Sequence, residues 1–374
     1  MYLLNVYICR LEKKRLFLRK MAVNKIDNTH RFKAIDFFCG GGGMACGLRQ
    51  AGVDVIAGVD FDGNAKETYE FNNPGSVFVH KDVKKLRSNY FEKNLGVQKN
   101  DDHLIMVGCS PCQYYSIINT DHSKAELSKD LLMNFARFIE YYKPGYILVE
   151  NVPGILTNKE TILPKFLKKI EKLGYAHTEE IVDMSQYGVP QSRRRFSLIA
   201  TRLDGVQVSL PKKSERILTV ADVLGEKNGF PKISAGHKDT TDFQHTAAGL
   251  NEKSLKRMAI TPHNGGNRLS WANQLELQLD CYIGKDDIFK DNYGRMWWDR
   301  PAPTITTKFF NISNGRFAHP DEDRAISIRE GATLQTFPKE YVFKTNSIAG
   351  AARIIGNAVP CKYAKQLGQL IQSL

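Results

Sequence analysis

Short apolar runs alternate with amphipathic segments along the first half of the chain. The runs are rich in Val, Ile, Leu and Phe and are bounded by Gly, Pro or Asp, a composition typical of buried strands. Residues 131–142 instead carry apolar side chains at helical spacing and are followed by Pro144-Gly145, which ends a helix. The alternation predicts an α/β fold, a mixed and mostly parallel sheet with helices on both faces. The predicted strands are 33–38, 53–59, 77–80, 103–108, 146–149 and 196–200.

The hydrophobic pattern loosens after Thr201 and becomes regular again from Leu334 onward. The loose stretch consists of turns, polar segments and short apolar pieces, which predicts a smaller, loop-rich second domain. Residues 364–374 have the pattern of a final helix. We therefore predict an N-terminal extension, a large α/β domain, a loop-rich domain and a C-terminal segment that returns to the large domain, with the boundaries 1–29, 30–200, 201–344 and 345–374.

The net charge of the chain indicates what kind of partner the protein binds. The 374 residues carry a formal net charge of +13, with 53 Lys and Arg against 40 Asp and Glu. A strongly basic protein is expected to bind a polyanion, although such charge can also serve solubility alone. The seven scattered cysteines fit a reducing cytosol better than a disulfide framework. No apolar run approaches the roughly 20 residues that span a bilayer.

The first residues, Met1 to Lys20, mix basic and apolar side chains without the order of a signal peptide. We expect the 1–29 extension to be disordered or mis-annotated, with Met21 as a plausible start. A functional basic arm is the alternative.

A glycine-rich segment joins the first predicted strand to a helix. Residues 36–43 read Asp-Phe-Phe-Cys-Gly-Gly-Gly-Gly, and Asp60 ends the next strand, 20 residues after Gly40. Glycines at this place let the backbone approach a ligand, and an acid at that distance can bind two ribose hydroxyls. The pattern indicates an adenosine-containing cofactor, either a dinucleotide or S-adenosylmethionine. A tight turn without a ligand is the alternative.

Further polar residues follow the other strands. Cys112, in Pro-Cys-Gln, comes after strand 103–108, and Glu150 comes directly after strand 146–149. Both are therefore expected at the carboxyl edge of the sheet, where α/β enzymes place their chemistry. Arg193 and Arg195 precede strand 196–200 and alternate, so they share one face of an extended segment. A thiolate is a strong nucleophile at neutral pH.

Cys109 and Cys112 alone would also suggest a redox pair or half of a zinc site. No second Cys/His pair has the spacing of a zinc finger, so we expect no metal and interpret Cys109 as a packing residue.

These motifs, taken in order, resemble those of cytosine-5 DNA methyltransferases of the compact bacterial and phage type. The set comprises the glycine-rich segment, Pro-Cys-Gln, Glu-Asn-Val, Gln-x-Arg-x-Arg, Arg-Pro-x-Pro-Thr-Ile-Thr and Gly-Asn-x-Val-Pro. The resemblance covers about Phe32 to Leu374 apart from the middle of the loose region. It implies a Rossmann-like S-adenosylmethionine-dependent methyltransferase domain at 30–200 and a target-recognition domain at 201–344.

The resemblance also implies roles for single residues. Cys112 would attack carbon 6 of a cytosine flipped out of duplex DNA, Glu150 would hydrogen-bond ring nitrogen 3, and Arg195 would hold the base carbonyl. Arg193 would bind phosphate and favour the thiolate. The methyl donor would be S-adenosyl-L-methionine and the product S-adenosyl-L-homocysteine. The residues implied for the cofactor are Phe38, Gly40, Gly43, Asp60, Phe61, Asp82, Val83 and Asn357.

DNA contacts are expected from two further parts of the chain. Gln113 and Ser116 lie in a segment that matches the loop closing over DNA in relatives. In the loose region, residues 263–268 include Asn264 and Arg268, residue types that read base edges well, but this hexapeptide is equally compatible with an ordinary turn.

The expected function is thus a DNA (cytosine-5)-methyltransferase that marks host or phage DNA. We expect a cytoplasmic monomer that binds double-stranded DNA and acts opposite a restriction endonuclease without needing to contact it, or else a solitary prophage enzyme. A tRNA cytosine-5 methyltransferase is the main alternative, although the central region lacks the Cys-Phe-Thr signature of that branch. A non-enzymatic DNA-binding descendant and a nicotinamide dehydrogenase explain fewer of the motifs.

Overall fold

The computed structural model describes residues 31–111, 130–157 and 161–374. Residues 32–374 belong to one compact unit. Within the described ranges, seven strands form one sheet in the order β3-β2-β1-β4-β5-β7-β6. The first five strands are parallel, and β7 runs antiparallel to both of its neighbours. The predicted mixed, mostly parallel sheet is therefore confirmed.

The strands are β1 (Lys33–Phe37), β2 (Asp54–Asp60), β3 (Val77–His80), β4 (Leu104–Gly108), β5 (Tyr146–Asn151), β6 (Ala176–Asp183) and β7 (Arg194–Thr201). The helices are α1 (Gly43–Gln50), α2 (Lys66–Asn72), α3 (Tyr90–Leu95), α4 (Leu131–Tyr142), α5 (Gly154–Thr157), α6 (Leu163–Lys172), α7 (Val220–Val223), α8 (Glu252–Ile260), α9 (Ile328–Leu334), α10 (Ile348–Asn357) and α11 (Cys361–Ser373).

The apolar runs become strands because they can be buried on both faces of the sheet. In β1, Ile35 and Phe37 pack into one core, whereas Ala34 belongs to the core on the opposite face. The same alternation holds in β4, where Leu104 and Met106 face the first core. Helices α4 and α6 cover that face, and α1 and α11 cover the other. Strands enclosed in this way are continuously apolar, as parallel strands usually are.

Strand β6 was not predicted from the sequence. Its residues, Ala-His-Thr-Glu-Glu-Ile-Val-Asp, are mostly polar, and only Val182 is buried. An edge strand pairs on one side alone, so it can carry polar residues on its exposed positions. Strand β5 is also longer than predicted and includes Glu150 and Asn151.

The last helix packs against the first. Gly47 of α1 allows the close approach, because a Cβ atom there would lie 2.3 Å from the carbonyl oxygen of Cys361. Tyr363, Ala364 and Leu367 of α11 enter the same core as Leu48. The C-terminal segment therefore lies beside the glycine-rich turn that precedes α1.

The region between β7 and α9 has little regular secondary structure. Two apolar clusters fill it, and several arginines are buried among its loops. Arg295 donates hydrogen bonds to the carbonyl oxygens of Met258, Thr261, His319 and Glu322. Such guanidinium groups supply donors that a strand ladder would otherwise provide. Among the described residues, no helix is long and apolar enough to cross a bilayer.

Candidate active site

The glycine-rich segment forms a tight turn at the carboxyl end of β1. Phe38 has a φ of 63° and its backbone N–H donates to the carbonyl oxygen of Val59 at 2.7 Å. Gly40 has a φ of 49°, and a Cβ atom on it would meet no other atom within 4 Å. The turn therefore leaves open space beside Gly40, where a ligand could approach the backbone.

Asp60 is held against this turn. One carboxylate oxygen accepts a hydrogen bond from the N–H of Gly40 at 2.8 Å, and the other accepts one from Asp62 at 2.8 Å. Burial raises the pKa of Asp60, and these backbone donors oppose the rise. The next side chain, Phe61, is 68% exposed, which is unusual for phenylalanine and leaves its ring available for stacking.

Asp82 and Val83 follow β3 at the same edge of the sheet. Asp82 accepts a hydrogen bond from the N–H of Lys84 at 2.9 Å, and Val83 is buried. Arg137 of α4 donates to the carbonyl oxygens of Val83 and Leu86, which holds this loop against α4. The predicted cofactor residues at the ends of β1, β2 and β3 therefore share one edge.

Gly43 packs against the segment that follows Asn357, from the opposite end of the chain. A Cβ atom on Gly43 would lie 2.7 Å from the carbonyl oxygen of Val359 and 2.8 Å from the Cβ atom of Ala358. Gly43 therefore serves close packing of this segment, rather than leaving space for a ligand as Gly40 does. Asn357 ends α10 with its side chain exposed beside that contact.

Asp36 is a buried acid that the sequence did not single out. Its side chain is fully buried, and neither carboxylate oxygen has a hydrogen bond of normal geometry within the described ranges. Burial raises its pKa to about 8; the charge of Asp60 adds to the rise, and the backbone N–H of Ala45 opposes it. A buried carboxyl group without a strong partner is costly, which is typical of a site that awaits a ligand.

Buried Glu150 at the end of β5 pairs with the largely enclosed Arg195 at the start of β7. Glu150 Oε1 lies 3.3 Å from Arg195 Nε, but this oxygen has no hydrogen bond of normal geometry in the described part of the chain. Burial raises the pKa of Glu150, and the charges of Arg195 and Arg193 only partly oppose it. A raised pKa favours the protonated carboxyl group, which can donate a hydrogen bond.

Asn151 connects this pair to the segment that leads to the cysteine. Its side-chain amide donates to the carbonyl oxygen of Ser110 at 3.2 Å and to the Ser110 hydroxyl at 3.3 Å. The ends of β4 and β5 are thereby held together. Burial raises the pKa of the Cys109 thiol, which keeps it protonated. Cys112, Gln113 and Ser116 lie outside the described residues.

Arg193 lies in the interior, with 2% of its surface exposed. Its guanidinium donates to the carbonyl oxygens of Ile305, Gly356 and Ala358 at 3.1 to 3.2 Å. In this arrangement it joins the Pro-x-Pro-Thr-Ile-Thr and Gly-Asn-x-Val-Pro segments to the segment before β7. It is not presented to a phosphate, so its fit to the expected DNA contact is poor.

Arg268 is likewise buried, although the sequence suggested that it reads DNA. Its side chain is fully enclosed and donates to the carbonyl oxygens of Lys285, Ile288 and Phe289. It is therefore unavailable to a base edge in this conformation. Asn264 is exposed in a turn and accepts a hydrogen bond from the N–H of Trp298 at 2.7 Å. The interpretation of residues 263–268 as an ordinary turn thus explains the burial of Arg268. Asn264 stays a candidate for a DNA contact.

The described ranges contain no group of three or more His, Cys, Asp or Glu side chains arranged to hold a metal ion. The groups brought together at the carboxyl edge are instead the Glu150 carboxyl group, the Arg195 guanidinium and the turn at Gly40 with the carboxylate of Asp60. The sequence analysis did not select Asp36 or Asn151 as site residues. The one signal in the sequence that could have indicated them is that each lies near the carboxyl end of a strand.

The chain is similar in sequence to known methylases. The sequence profile of the family described as C-5 cytosine-specific DNA methylase matches residues 32–373. The type II methylase M.HgiDII of Herpetosiphon aurantiacus is 37% identical over 344 residues, which cover 90% of this chain and 94% of that protein. The type II methyltransferase M1.HphI of Haemophilus parahaemolyticus is 28% identical, with 96% and 90% covered.

A solved structure also has a similar fold. It is a prophage-encoded Escherichia coli protein assigned as a DNA modification methyltransferase, with a TM-score of 0.72 and 22% identity. The match covers 92% of this chain and 99% of that protein.

Proposed function

The chain belongs to the C-5 cytosine-specific DNA methylase family, and from this premise we propose how its own residues carry out the reaction. The protein is a DNA cytosine-5 methyltransferase, as its family and its type II relatives indicate. The observation that carries the proposed mechanism is the buried Glu150–Arg195 pair, with its raised carboxyl pKa, at the end of the strand next to the one that leads to Cys112.

Family membership implies the use of S-adenosylmethionine, and the residues at the carboxyl edge fit this molecule. Asp60 is fixed by Gly40 where a ribose would be bound, and the exposed ring of Phe61 can stack on an adenine. The unsatisfied oxygens of Asp36 suit a cationic group. Asp82, Val83, Asn357 and Phe38 would complete the pocket. When bound, the cofactor supplies an electrophilic methyl group.

The pyrimidine ring must be activated before it can accept a methyl group at carbon 5. We assign the Cys112 thiolate to the attack on carbon 6, which forms a C–S bond and moves electron density towards carbon 5 and ring nitrogen 3. Burial raises the pKa of Glu150 and so favours its protonated form, which donates a hydrogen bond or proton to nitrogen 3. Arg195 holds the carbonyl oxygen of the base. These roles require the side chains of Glu150 and Arg195 to lie close together. The pairing of β5 with β7 brings them together.

The reaction ends when carbon 5 loses its proton and the C–S bond breaks. The electron pair of the C–H bond restores the ring double bond, and the sulfur leaves as a thiolate. We assign the proton to water or hydroxide. The target has to be flipped out of the duplex to reach this edge, so the region at 201–344 is proposed to hold and read DNA.

A tRNA substrate is less supported, because the family profile and the relatives named above are those of DNA methylases. We propose that the protein modifies the cytoplasmic DNA of a bacterial host, with S-adenosyl-L-homocysteine as product. A cognate restriction endonuclease would act on the same site without needing to bind this chain, and the enzyme would work as a monomer.

The first test is bisulfite sequencing of DNA from cells that express the protein, beside cells that express Cys112→Ser. We expect 5-methylcytosine at one short recurring sequence with the wild type only. Methyl transfer from labelled S-adenosylmethionine to tRNA but not to DNA would overturn the assignment.

The second test traps the C–S bond. A duplex with 5-fluorocytosine at the target blocks the final proton loss, so a stable protein–DNA adduct is expected from the wild type. Cys109→Ser is the matched control, because Cys109 precedes the proposed nucleophile by three residues and should leave the adduct unchanged. An adduct of equal yield from Cys112→Ser would remove Cys112 from its role.

A further inference from the structure

The loop-rich region presents an exposed arginine stacked on a tryptophan. The guanidinium carbon of Arg300 lies 4.6 Å from the ring centroid of Trp297, and Arg300 is exposed to solvent. Among the described residues it forms no ion pair with a carboxylate within 4.0 Å. A guanidinium that lies over an aromatic ring and is exposed to solvent can still use its N–H groups to bind an oxyanion such as a phosphate.

A second arginine on the same indole serves a different purpose. The guanidinium carbon of Arg316 lies 4.0 Å from the Trp297 centroid, but this side chain is buried and donates to the carbonyl oxygens of Gly265, Gly266 and Arg295. It also pairs with Asp291 at 2.8 Å. Because these partners hold the Arg316 guanidinium in place, it forms a fixed surface against which the indole packs. Arg300, in contrast, is exposed to solvent.

The tryptophan is further fixed by the neighbouring turn. Gly265 has a φ of 105°, and a Cβ atom on it would lie 1.8 Å from Trp297 Nε1. The glycine in this turn therefore makes room for the indole. The backbone around Arg300 is also held, because its carbonyl oxygen accepts a hydrogen bond from Val220 at 2.9 Å. The stack is thus organised before any ligand binds, which lowers the entropy cost of binding.

The stack lies on the catalytic side of the sheet. Ala302 pairs with Gln191 in a parallel bridge, and its carbonyl oxygen accepts from Ser192 at 2.8 Å. Residues 190–193 run beyond the carboxyl edge, since β7 begins at Arg194 and pairs with the end of β5.

Register gives an approximate distance from the catalytic pair. Arg300 precedes Ala302 by two residues, and Arg195 follows Gln191 by four residues. At about 3.3 Å per residue, six residues of extended chain span about 20 Å, and the step of about 4.8 Å between the paired segments places the Cα atoms of the two arginines at most about 25 Å apart. Phosphates of one strand are about 3.4 Å apart along the duplex axis, so this reach corresponds to roughly seven nucleotides.

We propose that Arg300, oriented by Trp297, binds a backbone phosphate of the DNA within a few nucleotides of the target cytosine. The inference rests on the proposed function, because it takes the duplex to lie on this side of the sheet. It assigns a DNA contact to the first residue of the Arg-Pro-x-Pro-Thr-Ile-Thr motif, and it distinguishes Arg300, which is exposed, from the buried arginines that maintain the fold.

The test is the salt dependence of duplex binding, measured for the full chain with S-adenosyl-L-homocysteine present between about 50 and 200 mM salt. The duplex carries the methylated sequence found by bisulfite sequencing, and a scrambled duplex accompanies it. We expect Arg300→Gln to lower the slope of log affinity against log salt by about 0.9 on both duplexes, and affinity at 100 mM salt to fall about fivefold to tenfold. Arg300→Lys keeps the charge and should keep most of the slope.

Lys99→Gln is the matched control. Lys99 is also an exposed cation over an aromatic ring, 3.9 Å from the centroid of Tyr141, but it precedes β4 and so lies at the opposite edge of the sheet. Its slope should equal that of the wild type. A partly misfolded preparation would not give the expected result, because the slope of log affinity against log salt does not depend on the fraction of protein that is correctly folded.

An unchanged slope for Arg300→Gln would overturn the proposal. Relaxed sequence preference with an unchanged slope would also overturn the phosphate assignment, since that is the behaviour of a base contact. Methyl transfer by the wild type on the same duplex is measured in parallel. Its absence would refute the proposed function, while the slope would still decide the role of Arg300.

Discussion

Two glutamate–arginine pairs in this molecule have carboxyl pKa values shifted in opposite directions. At the end of β5, Glu150 Oε1 lies 3.3 Å from Arg195 Nε. In the described part of the chain, this oxygen has no hydrogen bond of normal geometry. At the start of α9, Glu330 binds Arg324 through two hydrogen bonds of 2.7 and 2.9 Å and also accepts from the N–H of Ser327. Both carboxyl groups are buried.

The difference shows that partner geometry, and not burial, decides which carboxyl group can do chemistry. Burial alone would raise the pKa of Glu330, but the charge and hydrogen bonds of Arg324 bring it down to about 2. Burial of Glu150 is only partly opposed, and its pKa is raised. A bidentate pair stays ionised and stabilises the fold, whereas a buried and loosely paired carboxyl group is protonated more readily.

The largest expected effect comes from Glu150→Gln. Glutamine keeps the shape but cannot supply a proton to ring nitrogen 3, so turnover should fall by about 10²- to 10⁴-fold. Duplex affinity should change little. Single-turnover methylation and DNA binding are measured on the same preparation, with the exposed Glu140→Gln as control. Near-normal turnover would remove Glu150 from the acid role.

Glu330→Gln should affect stability and leave the chemistry of a correctly folded fraction intact. Removing this charge leaves the buried Arg324 with Glu322 as its remaining carboxylate partner, and the loss of two charged hydrogen bonds costs about 1.5–3 kcal/mol. The measurement is urea unfolding at neutral pH. A loss below about 1 kcal/mol would place this pair among contacts of little consequence.

The same pair predicts a pH dependence. Because the folded pKa of Glu330 is about 2 and its ordinary value is 4.5, its stabilisation is complete above about 4.5 and is lost as the pH falls towards 2. Wild type should therefore lose more stability than Glu330→Gln over that interval. Parallel curves for the two proteins would contradict the assignment.

Asp36 extends the comparison to a buried acid without an arginine. Its pKa of about 8 means that it is protonated at neutral pH in the free protein, and a bound cation would favour its ionised form. Cofactor binding should then release a proton, so affinity rises by up to about tenfold per pH unit below pH 8. Calorimetry of S-adenosylmethionine binding checks this, and Asp36→Asn should abolish the slope. Equal slopes in both proteins would exclude Asp36.

An exposed pair gives the smallest expected effect. Glu252 and Lys256 of α8 lie 3.0 Å apart, but both side chains are mostly exposed. Solvent and salt screen such a pair, so Glu252→Gln should leave the unfolding midpoint unchanged within error. A clear destabilisation would show that contact distance matters more than partner geometry.

The sequence predicted the parallel core well, because buried strands leave continuous apolar runs and conspicuous turns. It missed β6, whose edge position permits polar residues. It grouped Glu150 and Arg195 through their places at strand ends, and the structure brings them within 3.3 Å. It did not indicate Asp36, since an acid inside a strand gives no periodic signal. It could not distinguish Arg268, which is buried, from Arg300, which is exposed.

The chain's residues by themselves determined the sheet, the glycine turn and the ordered set of catalytic residue types, since these depend on local periodicity and spacing. Tertiary structure alone decided which charged groups are satisfied. A net charge of +13 indicates a polyanionic partner, yet Arg193, Arg268 and Arg295 are enclosed and bind backbone carbonyls. The state of a charged side chain depends on partners that are distant in sequence, and these become neighbours only when the chain is folded.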